Sequence, residues 1–315
     1  MQRRSLVALL AALALTGCGV SQGGGEQAVL KVGSQRGGTK AILIASRALE
    51  GAPYRIEWSE FPAAQPLLEA VGAGAVDLGE AGDAPFLFAY ASGSKIKAVQ
   101  AGKSGGSSTA LLVRKGSPIH AVADLRGKKI ATGRGSIGHY LLLRLLEESG
   151  LTPEDVKIVF LGPGDAKAAF TSGAIDAWVT WGSYVAVARL HDDATILADG
   201  EGRLGGYGFE AANEASIASK RPQIDDFLGR LAKARRWAGA HPQAFATALS
   251  KETGLPPEVA LYTVEHYRIA PAAIDDQAVA EARSVLDRFR AAGQVTSTRV
   301  PAGAFDRSFN AAVAR

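Results

Sequence analysis

Cysteine occurs once in the 315 residues, at Cys18, so no intramolecular disulfide can form in any compartment. The five histidines (His120, His139, His191, His241, His266) include no H-E-x-x-H pattern and no close pair, which leaves no zinc-ligand spacing and no expected metal. A charge excess is missing as well: 35 Lys and Arg against 31 Asp and Glu give a formal +4. Removal of a leader holding Arg3 and Arg4 and no acid would leave 4 − 2 = +2. Such a balance tolerates an anionic ligand but is not the footprint of a nucleic-acid binder. Beyond the first residues no second apolar run is long enough to cross a bilayer.

The start of the chain does carry a signal. Arg3 and Arg4 precede an apolar run from Leu6 to Leu15, too short for a permanent span and suited to a secretory leader. Leu15-Thr16-Gly17-Cys18 then resembles the lipobox of bacterial lipoproteins, which implies a signal peptide over 1–17 and a lipid anchor on Cys18. Residues 18–27, rich in Gly, Ser and Gln, suit a flexible tether. These features place the protein in the periplasm or on the outer face of the cell membrane.

The stretch Gly133 to Gly150, GRGSIGHYLLLRLLEESG, organises the rest. Before it, Lys128 to Thr132 predicts a strand; after it, Leu141, Leu142, Leu145 and Leu146 recur at helical spacing. Ser136 suits the N-cap, so the first turn (Ile137, Gly138, His139) would point unpaired N–H groups outward, the layout of an anion site. Two other readings stay open: a plain connection without a ligand, and a dinucleotide site, because Gly133, Gly135 and Gly138 satisfy G-x-G-x-x-G. The latter, the reading as a dinucleotide-binding enzyme, wants an acid at the end of the next strand. Val156 to Leu161 ends instead in Gly162-Pro163-Gly164, with Asp165 following late.

A second strand, Gly-rich turn and helix occupies Val29 to Leu49, with the loop Ser34 to Thr39 between them, and a further strand and helix follow through Val71. Alternating strands and helices indicate an α/β protein with ligands at the carboxyl ends of its strands. Gly74-Ala75-Val76-Asp77 recurs as Gly173-Ala174-Ile175-Asp176, each after a short amphipathic helix and before a brief apolar strand. Two similar halves predict two lobes: 28–112 and 207–315 form the first, 113–206 the second. The C-terminal third reads as helices over Pro222 to Ala240, from Pro256-Pro257 and over Asp276 to Ala291. Gly102 to Gly106 satisfies G-x-S-x-G, but Ser107 to Arg114 after it reads as a strand, not the helix a nucleophile elbow needs.

With these loops placed, the chain resembles the aliphatic-sulfonate and taurine-type substrate-binding proteins of bacterial ABC importers from about Leu30 to Val300. The resemblance rests on Gln35-Arg36-Gly37, Glu60-Phe61-Pro62-Ala63, Gly82-Asp83-x-Pro85, Ser136-x-Gly138-His139, Ala166-x-Ala168-Ala169-Phe170, and Asp176-Ala177-Trp178 with Trp181 and Tyr184. It implies a two-lobed periplasmic-binding-protein fold of type II with two crossover strands, a small sulfonate in the cleft, no cofactor and no catalysis. It also implies ABC permease subunits as partners of a monomer. With the loop Gln35 to Thr39 and Tyr207 added to these motifs, the expected ligand residues are Gln35, Arg36, Gly37, Gly38, Thr39, Phe61, Gly82, Asp83, Ser136, Gly138, His139, Trp178, Trp181 and Tyr207. The same fold could hold nitrate or a thiamine-precursor pyrimidine; the related pyrimidine synthases use a cysteine-rich motif that a chain with Cys18 alone lacks.

Micromolar binding needs about 8 kcal/mol, whereas one helix terminus supplies at most ~2 and one hydrogen bond to a charge ~1.5–3. Donors from both lobes must therefore converge. Trp178 and Trp181 are either core or cleft; His139 is either a first-turn residue or a donor; Arg36 is either solvated or the site's cation. Asp83, awkward beside an anion, reads as the cap of the helix starting at Ala84-Pro85. Glu80-Ala81 departs from the family pattern, and a free carboxylate there would favour a zwitterion such as taurine.

Overall fold

The computed structural model describes residues 27–299 and 301–315. The signal segment, Cys18 and all of the tether but Gln27 therefore lie outside the described residues.

The chain begins β1 (Val29–Gln35), α1 (Thr39–Ala45), β2 (Arg55–Phe61), α2 (Ala64–Gly72), β3 (Leu78–Gly82), α3 (Asp83–Ala91), β4 (Ile96–Lys103). It continues β5 (Thr109–Arg114), β6 (Lys129–Thr132), α4 (Ile137–Glu148), β7 (Lys157–Phe160), α5 (Pro163–Thr171), β8 (Ala177–Trp181), α6 (Ser183–His191), β9 (Ala194–Asp199). It returns through β10 (Tyr207–Asn213) to α7 (Glu214–Ser219), α8 (Arg221–Ala240), α9 (Pro242–Thr253), α10 (Pro257–His266), β11 (Ala270–Ala272) and α11 (Asp276–Ala291). Two sheets result, a six-stranded one in the order β11-β4-β10-β3-β1-β2 and a five-stranded one in the order β7-β6-β8-β5-β9. Each is the centre of one α/β lobe.

Strand alternation builds the second lobe's two cores. Leu111, Val113, Ile130 and Val179 face α4 and meet Leu141, Leu142, Leu145 and Leu146. Ala110, Leu112, Ala131 and Trp178 face the other way, onto Phe170 of α5 and Val185 of α6. The leucines predicted from helical spacing are thus all buried, each contributing about 1.5–3 kcal/mol. In the first lobe α1 ends at Ala45 and Arg47 takes a positive φ of 57°, so Ala48 and Leu49, expected on that helix, pack from the following turns instead.

The recurring Gly-Ala-x-Asp is one device used twice. Asp77 Oδ2 accepts from the Lys31 N–H at 2.7 Å and Asp176 Oδ2 from the Lys129 N–H at 2.8 Å. The Asp77 and Asp176 N–H groups return bonds to the same residues' carbonyls. Gly74 (φ 75°) and Gly173 (φ 80°) make the preceding turn.

The chain leaves the first sheet at Lys103 and enters the second at Thr109; among the described residues β5 pairs only with β8 and β9. The first boundary therefore falls earlier than the expected 112/113, because Thr109 to Val113 are all registered on β8. The return runs from Asp199 to Tyr207. A strand after Gly102–Gly106 removes the nucleophile elbow.

Candidate functional site

Between the lobes lies a cleft with about 670 Å³ of empty space, its open mouth included. One wall is the carboxyl end of the first sheet: Gln35 ending β1, Ala64 and Gln65 opening α2, Gly82 and Pro85 opening α3. The other is the carboxyl end of the second: Ser136 and Ile137 opening α4, Trp181 and Gly182 opening α6. The crossover segments supply Ser104, Gly106, Ser108, Leu204 and Gly206, and Thr109, Tyr207, Gly208, Tyr267 and Ile269 complete the lining. Among the described residues that line it, none carries a charge.

Four helix N-termini, two from each lobe, therefore meet at one space. Each presents backbone N–H groups with no intrahelical acceptor and the positive end of its dipole. No side-chain cap occupies α2 or α6. In α4 the Ser136 hydroxyl accepts from the His139 N–H at 3.1 Å, which leaves the N–H groups of Ile137 and Gly138 without an intrahelical partner. Gln65 Nε2 donates across the cleft to the Arg134 carbonyl at 3.0 Å, and the Tyr184 hydroxyl reaches the Pro62 carbonyl at 3.5 Å.

Of the residues expected to touch a ligand, Gln35, Gly82, Ser136, Trp181 and Tyr207 line the cleft. Trp181 does and Trp178 does not: Trp178 is 1% exposed and packs on Phe170 and Tyr184 at 5.9 and 6.3 Å. Residues three apart on a strand point to opposite faces, a signal in the sequence that separates the two indoles. Tyr207 stacks parallel to Phe209, with Lys103 Nζ 4.9 Å from its ring centre.

The others stand behind the walls. His139 is fully buried, its Nδ1 accepting from the Gly135 N–H at 3.1 Å and its ring set edge-on to Phe160. Burial and, secondly, Arg134 push its pKa down to about 4, so at neutral pH it is an uncharged brace for the Gly133–Gly135 turn. Gly138 is required by packing, since a Cβ there would sit 2.8 Å from both Thr132 Oγ1 and the Val179 carbonyl. Arg36 donates to the Thr253 carbonyl and borders a different hollow with Lys40 and Glu252. Gly37 (φ 79°) packs on Leu249, and Phe61 packs into the first lobe's core. Gly38 and Thr39 face a second cavity in the first lobe.

Asp83 is the first residue of α3 and Gly82 its N-cap, one position from the expected arrangement. The Asp83 Oδ1 accepts from the Ala84 N–H at 2.7 Å, and burial raises the carboxyl to about 7, which weakens the conflict with a nearby anion. Glu80 offers no free carboxylate to the cleft. It accepts from Thr39 Oγ1 at 3.2 Å and the Tyr267 hydroxyl at 3.4 Å and lies 3.6 Å from Arg235. The premise for a zwitterionic ligand is thereby lost.

Gln65, the Ser104–Thr109 crossover, Gly182 and Tyr267 were not anticipated. Gln65 and Gly182 could have been, as residues opening helices after strand ends. The crossover could not, because its place depends on pairing with a segment about a hundred residues away.

The profile of the NMT1/THI5-like family matches residues 60–245. An Escherichia coli relative named for binding aliphatic sulfonates is 34% identical over 240 residues, 75% of each chain. The taurine-binding periplasmic protein of Escherichia coli is 31% identical over 173 residues, 54% of this chain and 52% of its own. The alkanesulfonate-binding protein SsuA from Xanthomonas axonopodis pv. citri, solved bound to MOPS, aligns with a TM-score of 0.84 at 33% identity, covering 89% of this chain and 99% of that one.

Proposed function

The chain belongs to the NMT1/THI5-like family, and on that premise we propose that it is the solute-binding lipoprotein of an ABC importer, holding a small sulfonate between its lobes. Its two lobes carry the periplasmic-binding-protein fold. The observation that supports the ligand class is the meeting of four helix N-termini from both lobes at a cleft whose described lining has no charged side chain. A sulfonate is a permanent monoanion with three acceptor oxygens and no proton to donate. Neutral N–H and O–H donors suit it, and the absence of a carboxylate acceptor from that lining disfavours an anion that must donate a proton.

Each terminus contributes at most ~2 kcal/mol, so the head group needs both walls, and closure strengthens every contact by excluding water. Trp181 beside the termini offers an apolar face for the first carbons and an indole N–H for an oxygen. With Glu80 engaged by Thr39, Tyr267 and Arg235, alkanesulfonates should be preferred to taurine. The anchor on Cys18 and docking to permease subunits belong to the same reading, in which the protein delivers its solute without chemical change.

A thermal-shift panel of ethanesulfonate, taurine, sulfate, nitrate, thiamine-precursor pyrimidines and nucleotides tests this. A ligand at 100 times its dissociation constant adds ~2.7 kcal/mol, and ethanesulfonate should produce that shift. Shifts from nitrate, pyrimidines or nucleotides alone would overturn the reading.

A further inference from the structure

Beside the cleft, inside the first lobe, lies a second cavity with about 1000 Å³ of empty space, its open mouth included. Ile42 of α1, Leu231 and Ala238 of α8, Phe245 of α9 and Val264 of α10 form its apolar walls. Glu80, Arg235, Arg236 and Arg268 also border it. The charge of Arg235 is engaged, by Glu210 at 2.8 Å and Glu80 at 3.6 Å.

Tyr267 and Ile269 line both this cavity and the cleft. They stand on the segment between α10 and β11, which belongs to no helix or strand. The Tyr267 hydroxyl meets Glu80 at 3.4 Å, long for an O–H···O bond, and Ile269 rests on Gly102, where a Cβ would meet its methyl at 2.4 Å. A partition of two side chains on an irregular segment therefore separates the cleft from a chamber with apolar walls and a charged border.

We propose that the chamber is a tail subsite. The sulfonate head stays among the helix termini, and an alkyl chain beyond its first carbons passes the Tyr267–Ile269 partition to lie against Phe245 and Val264. This inference rests on the sulfonate reading of the cleft and deepens it: the protein selects long-chain alkanesulfonates, and the walls of the chamber set the preferred length. The physical gain is the removal of methylenes from water, roughly fourfold in affinity for each one buried.

The test is calorimetric titration of the mature chain with ethane-, butane-, hexane- and octanesulfonate. Octanesulfonate should bind at least tenfold tighter than butanesulfonate, one per chain, and should displace ethanesulfonate. Val264→Phe and Ala238→Leu each fill the chamber from a residue outside the cleft. Either variant that keeps its ethanesulfonate affinity should lose most of the octanesulfonate advantage, so misfolding of one leaves the other. An octanesulfonate no tighter than butanesulfonate, an advantage that survives both fillings, or octanesulfonate binding that leaves ethanesulfonate in place would each overturn the proposal while sparing the cleft reading. Failure of ethanesulfonate itself to bind would overturn both.

Discussion

The Ser104 N–H donates to the Gly206 carbonyl at 2.7 Å, tying the outgoing connection between the lobes to the returning one. The two run backbone against backbone because glycine stands at each contact. A Cβ on Gly206 (φ 70°) would lie 2.1 Å from the Ser104 carbonyl oxygen, and one on Gly106 (φ 81°) 2.6 Å from that of Gly200. Any closure of the cleft must bend this paired strap.

Gly206→Ala should cost about 3 kcal/mol or more, since backbone strain is joined by a clash with backbone that cannot swing aside. Gly254→Ala is the control: φ is 68° but nothing lies within 4 Å, so strain alone, about 1 kcal/mol, should apply. Urea unfolding midpoints of the two variants measure the difference, and equal losses would remove the packing argument.

The two indoles on β8 should separate cleanly. Trp178→Ala empties a core position and should destabilise the protein by about 3–5 kcal/mol, read as a lower melting temperature. Trp181→Ala should leave melting almost unchanged, weaken sulfonate binding by tenfold or more and abolish any ligand-induced change in tryptophan fluorescence.

Two buried groups give stability opposite pH slopes. His139 has a folded pKa of about 4, below the ordinary 6.5, so the unfolded chain binds the extra proton and stability is lost as pH falls from about 6.5 towards 4. The full effect is roughly 3 kcal/mol. His139→Gln should flatten that acid limb relative to the parent. Asp83 is raised to about 7, so the folded chain holds the proton and its contribution is lost as pH rises from about 4 to 7. Asp83→Asn should therefore gain on the parent across that interval. Denaturation at pH 4.5, 6 and 8 checks both signs.

The paired Asp77 and Asp176 clamps are unequal. Asp77 is 4% exposed and also accepts from Ser216 Oγ at 2.7 Å and Lys220 Nζ at 2.8 Å, while Asp176 serves the Lys129 N–H at the surface. Asp77→Ala should cost about 3 kcal/mol and Asp176→Ala about 1. Hydrogen exchange should show the loss localised to β1 in one variant and β6 in the other.

Local pattern made much of this legible. The leucine spacing of α4, the Ser136 cap and the repeated Gly-Ala-x-Asp each depend on neighbours within a few residues, and each stands as the sequence suggested. What escaped depended on distant partners. His139 is buried by Phe160 and Phe289, Arg36 is drawn away by the Thr253 carbonyl of α9, and Ser104 finds its place only against Gly206. The Trp178 and Trp181 ambiguity was of another kind: strand parity puts the two on opposite faces, and burial of Trp178 leaves Trp181 to the cleft.

Isothermal titration of the mature chain with ethanesulfonate tests the central claim, an anion held by uncharged donors pooled from both lobes. A single site per chain with micromolar affinity, greatly weakened by Trp181→Ala but retained in His139→Gln, is the predicted result. No binding of ethanesulfonate, or binding indifferent to Trp181, would contradict it.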